Sequence, residues 1–366
     1  MTAAPHGRGR FCSSNTIAPT PPSDPPPGSG LFPDGNYFYS DNFNIPNNLT
    51  AHPCRKEYAH VKAQDFLTVR DLSQEEILET FDIALDMKAD RMKYADALKG
   101  QALALIFEKP SLRTRTSFDI GIQQLGGYSL YLSPAEISLG KRESVHDVAK
   151  NLERMVQGIM IRTFAHQIVI DMAKHASIPI INGLTDYAHP CQAMADFLTI
   201  KEHKGDLKGL KLCYVGDGNN VAHSLMFAGA RLGVDVTIAC PTGYEPNLVA
   251  WRHATEDAKA TGATIEVVHD PAEGVKNADA VYTDVWASMG QEAEAAERRR
   301  IFMPFQVNED LMAKAKSDAL FMHCLPAHRG DEVTDGVIDA KNSVVFQEAE
   351  NRLHAQKAVM YQLMKK

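Results

Sequence analysis

Phe107-Glu108-Lys109-Pro110-Ser111-Leu112-Arg113-Thr114-Arg115-Thr116-Ser117-Phe118 joins an apolar run, Ala102 to Phe107, to an amphipathic stretch, Phe118 to Leu125. The run reads as a buried strand and the stretch as a helix. Ser111 to Thr114 therefore fall where a strand turns into a helix N-terminus. Unpaired N–H groups and the helix dipole favour an anion there. Ser111 and Thr114 add hydroxyl donors, and Arg113 adds a planar fork that suits a phosphate. Such a turn is either a capped helix start with two solvated arginines or an oxyanion site. Ser, Thr and two Arg within five residues favour the second.

The same strand-then-helix alternation continues on both sides. Strands are expected at Ala102–Phe107, Tyr128–Leu132, Gly158–Ile161 and Ile178–Ile181, with helices at Thr116–Leu125, Ser144–Val156, Gln167–His175 and Pro190–His203. Upstream, Ser73-Gln74-Glu75-Glu76 is a capping box that opens a helix with Ile77, Phe81, Ala84 and Leu85 on one face. A polar break at residues 204–209 precedes a second series. Strands follow at Lys211–Val215, Asp235–Ala239, Thr264–Val268, Ala280–Thr283, Ala319–Met322 and Val344–Phe346, with helices near Asn220–Leu232, Pro246–Thr261, Glu309–Ala315 and Ala349–Met364. Short strands alternating with helices make this an α/β chain of two doubly wound parallel-sheet domains. The expected division is 61–204 and 205–348, with a cleft between the two and a C-terminal helix, 349–366, packing back on the first. In such sheets ligands lie beyond the carboxyl ends of the strands.

Composition narrows the function. The 366 residues are 44% hydrophobic and 23% charged, and 46 acidic against 38 basic residues give a net charge of −8. No basic surface argues for nucleic acid, so an anionic ligand needs a local positive pocket. Cysteines 12, 54, 191, 213, 240 and 324 form no Cys-x-x-Cys pair, which reads as reduced thiols in a reducing compartment. No apolar run approaches the roughly 18 residues of a membrane helix. Nine of the 19 prolines fall in the first 50 residues, so 1–60 is expected to be disordered or loosely draped. Up to Asp24 that segment has arginines and no acid, a faint likeness to a mitochondrial transit peptide. Its prolines oppose the amphipathic helix such a peptide forms. A non-targeting extension on a cytoplasmic protein is therefore the preferred reading.

Further candidates cluster just after strands. Arg162 closes one; alone, it reads as a structural or solvated arginine. His189-Pro190-Cys191-Gln192 opens a helix and could be a capping histidine beside a helix-start proline. Val215-Gly216-Asp217-Gly218-Asn219-Asn220 invites a dinucleotide reading, but Val221 stands where a third glycine belongs and no acid ends the next strand. Asp284-Val285-Trp286-Ala287-Ser288-Met289-Gly290 puts a carboxylate at a strand end, and His323-Cys324-Leu325-Pro326 puts a thiol at another. The histidines lack metal-ligand spacing, so neither metal nor other cofactor is expected.

These motifs, in this order, resemble the transcarbamylases, the aspartate and ornithine carbamoyltransferases. Ser-x-Arg-Thr-Arg after Phe-Glu-x-Pro, His-Pro-x-Gln, Gly-Asp-x-Asn-Asn, Asp-x-Trp-x-Ser-Met-Gly and His-Cys-Leu-Pro carry the likeness, which spans Phe66 to Lys366. The resemblance implies that Ser111, Leu112, Arg113, Thr114, Arg162, His189, Gln192, Cys324, Leu325 and Arg352 hold carbamoyl phosphate. It gives Asn220, Asp284, Ser288 and Met289 to the amino acid. Arg113, His189, Asp284 and Cys324 would then act on the reacting groups. An aspartate enzyme would want arginines in the 284–290 loop, which has none, and usually lacks the Cys at 324. The implied reaction is therefore transfer of the carbamoyl group to the δ-amine of L-ornithine, giving citrulline. Putrescine, aspartate or acetylornithine as acceptor, or a nucleotide-dependent dehydrogenase, are the alternatives. The resemblance also implies a homotrimer or a multiple of it. Ser138 departs from the family's Gln or His in a loop lent by a neighbouring subunit, leaving Lys141 or Arg142 to reach instead.

Overall fold

A computed structural model describes residues 61–366, save 138, 141, 288–291 and 366. The expectation for residues 1–60 lies outside them. Two parallel sheets share one compact unit, Glu57–Lys366. The first sheet has the order β2-β1-β3-β4, with β1 Ala102–Phe107, β2 Tyr128–Leu132, β3 Gly158–Arg162 and β4 Ile180–Leu184. The second has the order β7-β6-β5-β8-β9, with β5 Lys211–Val215, β6 Asp235–Ala239, β7 Ile265–Val268, β8 Ala280–Thr283 and β9 Leu320–His323. β1, β3 and β8 are buried along their full length, as strands covered by helices on both faces must be.

The strand order decides where the chemistry goes. In the first sheet the winding reverses between β1 and β3, which pair from Leu103↔Gly158 to Phe107↔Arg162. In the second it reverses between β5 and β8, paired from Leu212↔Ala280 to Val215↔Thr283. A ligand crevice opens at each reversal. The residues there are the Ser111 turn with Arg162, and the Asp217–Asn220 turn with Asp284.

Helix α1 (Gln74–Ala89) starts on the expected capping box: Ser73 Oγ accepts from Glu76 N at 3.2 Å, and Ser73 N donates to Glu76 Oε2 at 2.8 Å. Helix α2 (Leu112–Gln124) starts four residues earlier than its apolar pattern suggests, because Ser111 caps it. Helix α3 (Pro190–Lys204) is buried along most of its length, and helix α4 (Asn220–Leu232) ends on Gly233 at φ 74°, a left-handed cap that glycine adopts without strain.

One expected strand is wrong. Val344–Phe346 is not a strand; only Ser343 bridges to Phe321, and helix α5 (Val345–Met364) begins at Val345. The β-branched pair misled because its apolarity serves a helix start pressed into the core, where Val344 and Val345 are buried. The longer helix packs on α1, α2 and α3, and so crosses back to the first sheet as expected. Among the described residues no helix is long and apolar enough to cross a membrane.

Candidate active site

The Ser111 turn builds one wall of a cavity of about 1340 Å³ that also takes in Arg113, His189, Asp284 and Cys324. Ser111 Oγ accepts from Thr114 N at 3.2 Å. Leu112 is 79% exposed, so its backbone is what the turn contributes. Arg113 Nη2 donates to the Leu325 carbonyl. Arg162 ends β3 and donates from Nη1 to Thr114 Oγ1 at 3.4 Å. Arg352, brought in by α5, donates from Nη2 to the same oxygen at 3.2 Å and from Nη1 to Gln192 Oε1 at 2.5 Å. With the Gln356 amide turned to suit its neighbours, its oxygen also takes Arg352 Nη2 at 2.8 Å.

Arg113, Arg162 and Arg352 thus converge with oxygens of neutral groups as their acceptors. Among the described residues none of the three forms an ion pair. Burial, then the neighbouring Arg352 and Arg113, push Arg162 down to about 10. Buried guanidiniums are normally matched by carboxylates. A cluster held without them is a site shaped for an external anion.

His189 caps α3 at the edge of this cluster, with its N–H on Ser224 Oγ at 2.8 Å. Its Nδ1 is buried with no hydrogen-bond partner. Burial, then Arg352, Arg162 and Arg113, hold it well below 6.5, so it is a neutral imidazole with one N–H to donate. The unfolded chain takes up a proton on this histidine below about pH 6.5 and the folded one does not, so stability falls as pH drops through that range. His189→Gln should make the loss of thermal stability from pH 7 to 5 shallower, by up to about 1.4 kcal/mol per pH unit. Melting curves in phosphate-free buffer check it, and an unchanged slope would show that His189 is charged when folded.

The opposite wall comes from the second sheet. Gly216, at φ 148°, turns the chain out of β5. A side chain at Gly218 would meet Pro246 N at 2.2 Å, so this glycine exists for a close approach of backbone to backbone. Asn219 caps α4, its Oδ1 accepting from Val221 N at 2.9 Å, while its Nδ2 donates to Asp284 Oδ2 at 2.9 Å. Asp284 Oδ1 accepts from Val285 N at 2.8 Å and from Cys324 Sγ at 3.0 Å. Burial, then Asp284 itself, pushes the Cys324 thiol well up. Cys324 is therefore a protonated donor to a carboxylate. Arg298 also lines the cavity, but Asp217 at 2.7 Å and Glu294 at 3.1 Å neutralise it.

Leu325 sits at φ 57°, a conformation that costs a leucine energy and persists only when its surroundings impose it. Its N–H donates to His323 Nδ1 at 2.8 Å, and its carbonyl takes Arg113. His323 Nε2 in turn faces the buried Glu332 at 3.2 Å. Asp284, His323 and Cys324 each bring a donor atom within 4.8 Å of the others, a spacing that could suit a metal. Both His323 nitrogens are engaged, however, so the trio as it stands braces the strand ends.

Most sequence candidates therefore meet in one cavity, and some do not show their expected contact. Asn220 lines the cavity, but its Nδ2 donates to Thr185 O at 2.6 Å. Its neighbour Asn219 holds Asp284. The preference for asparagine at a helix cap suits Asn219 but does not say which amide meets Asp284. Ser288 and Met289 lie outside the described residues, as do Ser138 and Lys141. Arg142 donates to Glu136 O at 3.1 Å. The Asp217–Arg298 pair had no sequence signal of its own.

Residues 64–202 match the carbamoyl-phosphate-binding domain, and 208–363 the Asp/Orn-binding domain, of the aspartate/ornithine carbamoyltransferases. The ornithine carbamoyltransferase of Thermococcus kodakarensis is 57% identical over 303 residues, 82% of this chain and 96% of that protein. The solved ornithine carbamoyltransferase of Pyrococcus furiosus superposes with a TM-score of 0.81 at 53% identity, covering 84% of this chain and 99% of that one. An acetylornithine transcarbamylase complexed with acetylcitrulline is more distant, with a TM-score of 0.75 and 33% identity over 82% of this chain and 99% of that one.

Proposed function

The chain belongs to the aspartate/ornithine carbamoyltransferase family and catalyses the ornithine reaction, carbamoyl phosphate and L-ornithine giving citrulline and phosphate, and on that premise we propose how its cleft does so. The observation that carries the reading is the convergence of three arginines without acidic partners across from an acid–thiol pair. Ser111, Leu112 and Thr114 hold the phosphoryl group with Arg113, and Arg162 and Arg352 complete the positive pocket. Arg113, Thr114 and the neutral His189 hold the carbonyl oxygen as it gains charge. Gln192 takes the carbamoyl NH₂, and Cys324 and Leu325 bound the same group.

Asp284 attracts the δ-ammonium of ornithine. An alkyl amine with a pKa of about 10 is mostly protonated near pH 7, and it must first pass that proton to Asp284, and from there to solvent, before it can attack. The free amine's electron pair forms the new C–N bond, and the C–O bond to phosphate breaks with its pair leaving on phosphate. The nitrogen's surplus proton goes to that phosphate. The raised Cys324 thiol fits a donor that steadies Asp284 better than a proton acceptor. Asn220, Ser288 and Met289 remain the proposed contacts for the amino-acid end. Much of the rate follows from holding two reactants together in a shielded cleft.

Division at 61–204 and 205–348, with 349–366 crossing back, accords with the two sheets. A homotrimer or a multiple of it is supported by the family resemblance and by Tyr128 and Leu130, 56% and 44% exposed on the edge strand β2; sedimentation tests it. A cytoplasmic location is proposed on the reduced-thiol reading. For the chemistry, carbamoyl phosphate is offered with ornithine, acetylornithine, putrescine and aspartate in turn. Ornithine should exceed each of the others by at least about a hundredfold in kcat/KM, since a site built for a substrate's polar groups rejects analogues that leave them unpaired. Faster turnover of putrescine or acetylornithine would overturn the assignment of Asp284 and its loop.

A further inference from the structure

Behind the carbamoyl side of the cleft lies a pair of acids outside the machinery described so far. Asp196 stands one turn after Gln192 on α3, Glu348 comes from the first turn of α5, and both are fully buried. Gln192 Nε2 donates to both, to Asp196 Oδ1 at 2.8 Å and to Glu348 Oε1 at 3.0 Å. Glu348 Oε1 also takes the Tyr282 hydroxyl at 3.1 Å, and its Oε2 takes His323 N at 3.0 Å.

An amide has two N–H donors and one carbonyl. Both donors of Gln192 are committed to carboxyls, and its oxygen carries Arg352. Turning the amide over would set N–H against guanidinium and oxygen against acid. The amide's orientation is thereby fixed where Gln192 lines the cleft, and Oε1 keeps one lone pair beyond its bond to Arg352.

We propose that Asp196 and Glu348 are positioning residues that lock the Gln192 carbonyl towards the substrate, and so make the site prefer a carbamoyl group over an acyl phosphate bearing a methyl in place of the NH₂. The inference rests on Gln192 being the carbamoyl contact. Burial raises both acids, and Asp196 beside it raises Glu348 further. Tyr282 and His323 close the pair off on the other side.

The test compares the KM for carbamoyl phosphate with the Ki of acetyl phosphate as its competitor, in wild type, Gln192→Ala, Glu348→Gln, Asp196→Leu and Asp196→Asn. A glutamine at 348 must turn an N–H₂ either on His323 N–H or on the Gln192 amide. Glu348→Gln and Asp196→Leu should raise the KM for carbamoyl phosphate about tenfold or more, with the acetyl phosphate Ki and the ornithine KM within about threefold of wild type. Asp196→Asn keeps an oxygen for Gln192 Nε2, so its ratio should stay near wild type. If Asp196→Leu does not fold, Glu348→Gln decides. A ratio unchanged in Glu348→Gln but collapsed in Gln192→Ala overturns this inference alone. A ratio unchanged in Gln192→Ala overturns the reading of Gln192 as well. Equal weakening of both acyl phosphates marks a merely structural role and also overturns it.

Discussion

Arg113→Ala is expected to lower kcat/KM for carbamoyl phosphate by about three orders of magnitude or more while the protein stays folded. In the proposed reaction the guanidinium meets a doubly charged group with charge-assisted, paired hydrogen bonds, and also the oxygen on which charge develops. Loss of one donor to a developing oxyanion costs about 10² to 10³ in rate, and Arg113→Ala also gives up its hold on the leaving phosphate. Stability should change little, because loss of the hydrogen bond to the Leu325 carbonyl is offset by relief of the side chain's repulsion with Arg162 and Arg352. Inorganic phosphate should raise the melting temperature of the wild type and leave that of the variant unmoved, since a ligand stabilises only what it binds. Activity within tenfold of wild type would remove Arg113 from the reaction.

Asp284→Asn should cut kcat/KM for ornithine by about 10² to 10³, with the affinity for carbamoyl phosphate unchanged. Asparagine fills the same space and can still accept from Val285 N, but it offers no charge to an ammonium. Ion pairs in a desolvated cleft are lost at a cost of about 3 to 5 kcal/mol when one partner goes. The same substitution leaves the Cys324 thiol without its carboxylate acceptor, so the thiol should become easier to ionise and faster to alkylate. Binding of carbamoyl phosphate by calorimetry and steady-state kinetics in ornithine separate the two effects. Equal weakening of both substrates would mean that Asp284 shapes the cleft and does not select the amine.

What the sequence disclosed, and what it hid, follows from the range of each interaction. The phosphate turn was legible because a strand, a cap and a helix start are local patterns, and Ser111 caps α2 where the pattern puts it. The parallel sheets were legible from alternation alone, and the family from motifs carried in fixed order. Helix α2 was read four residues short because its first turn is polar and carries no apolar period. Val344–Phe346 failed because an apolar triplet does not say whether it pairs with a strand or opens a helix. Asn219 and Asn220 adjoin, and only the fold shows which amide faces Asp284 and which faces Thr185. The Arg352–Gln192–Glu348 network joins residues some 160 positions apart, beyond any spacing rule.

The structure of the protein with carbamoyl phosphate and norvaline, which is ornithine without its δ-amine, is the direct measurement. The expected result is phosphoryl oxygens at about 3 Å from Ser111, Arg113 and Thr114, the carbonyl oxygen beside His189, and the norvaline chain ending against Asp284 and Cys324. Carbamoyl phosphate found away from the three arginines, or norvaline reversed with its carboxylate at Asp284, would contradict it.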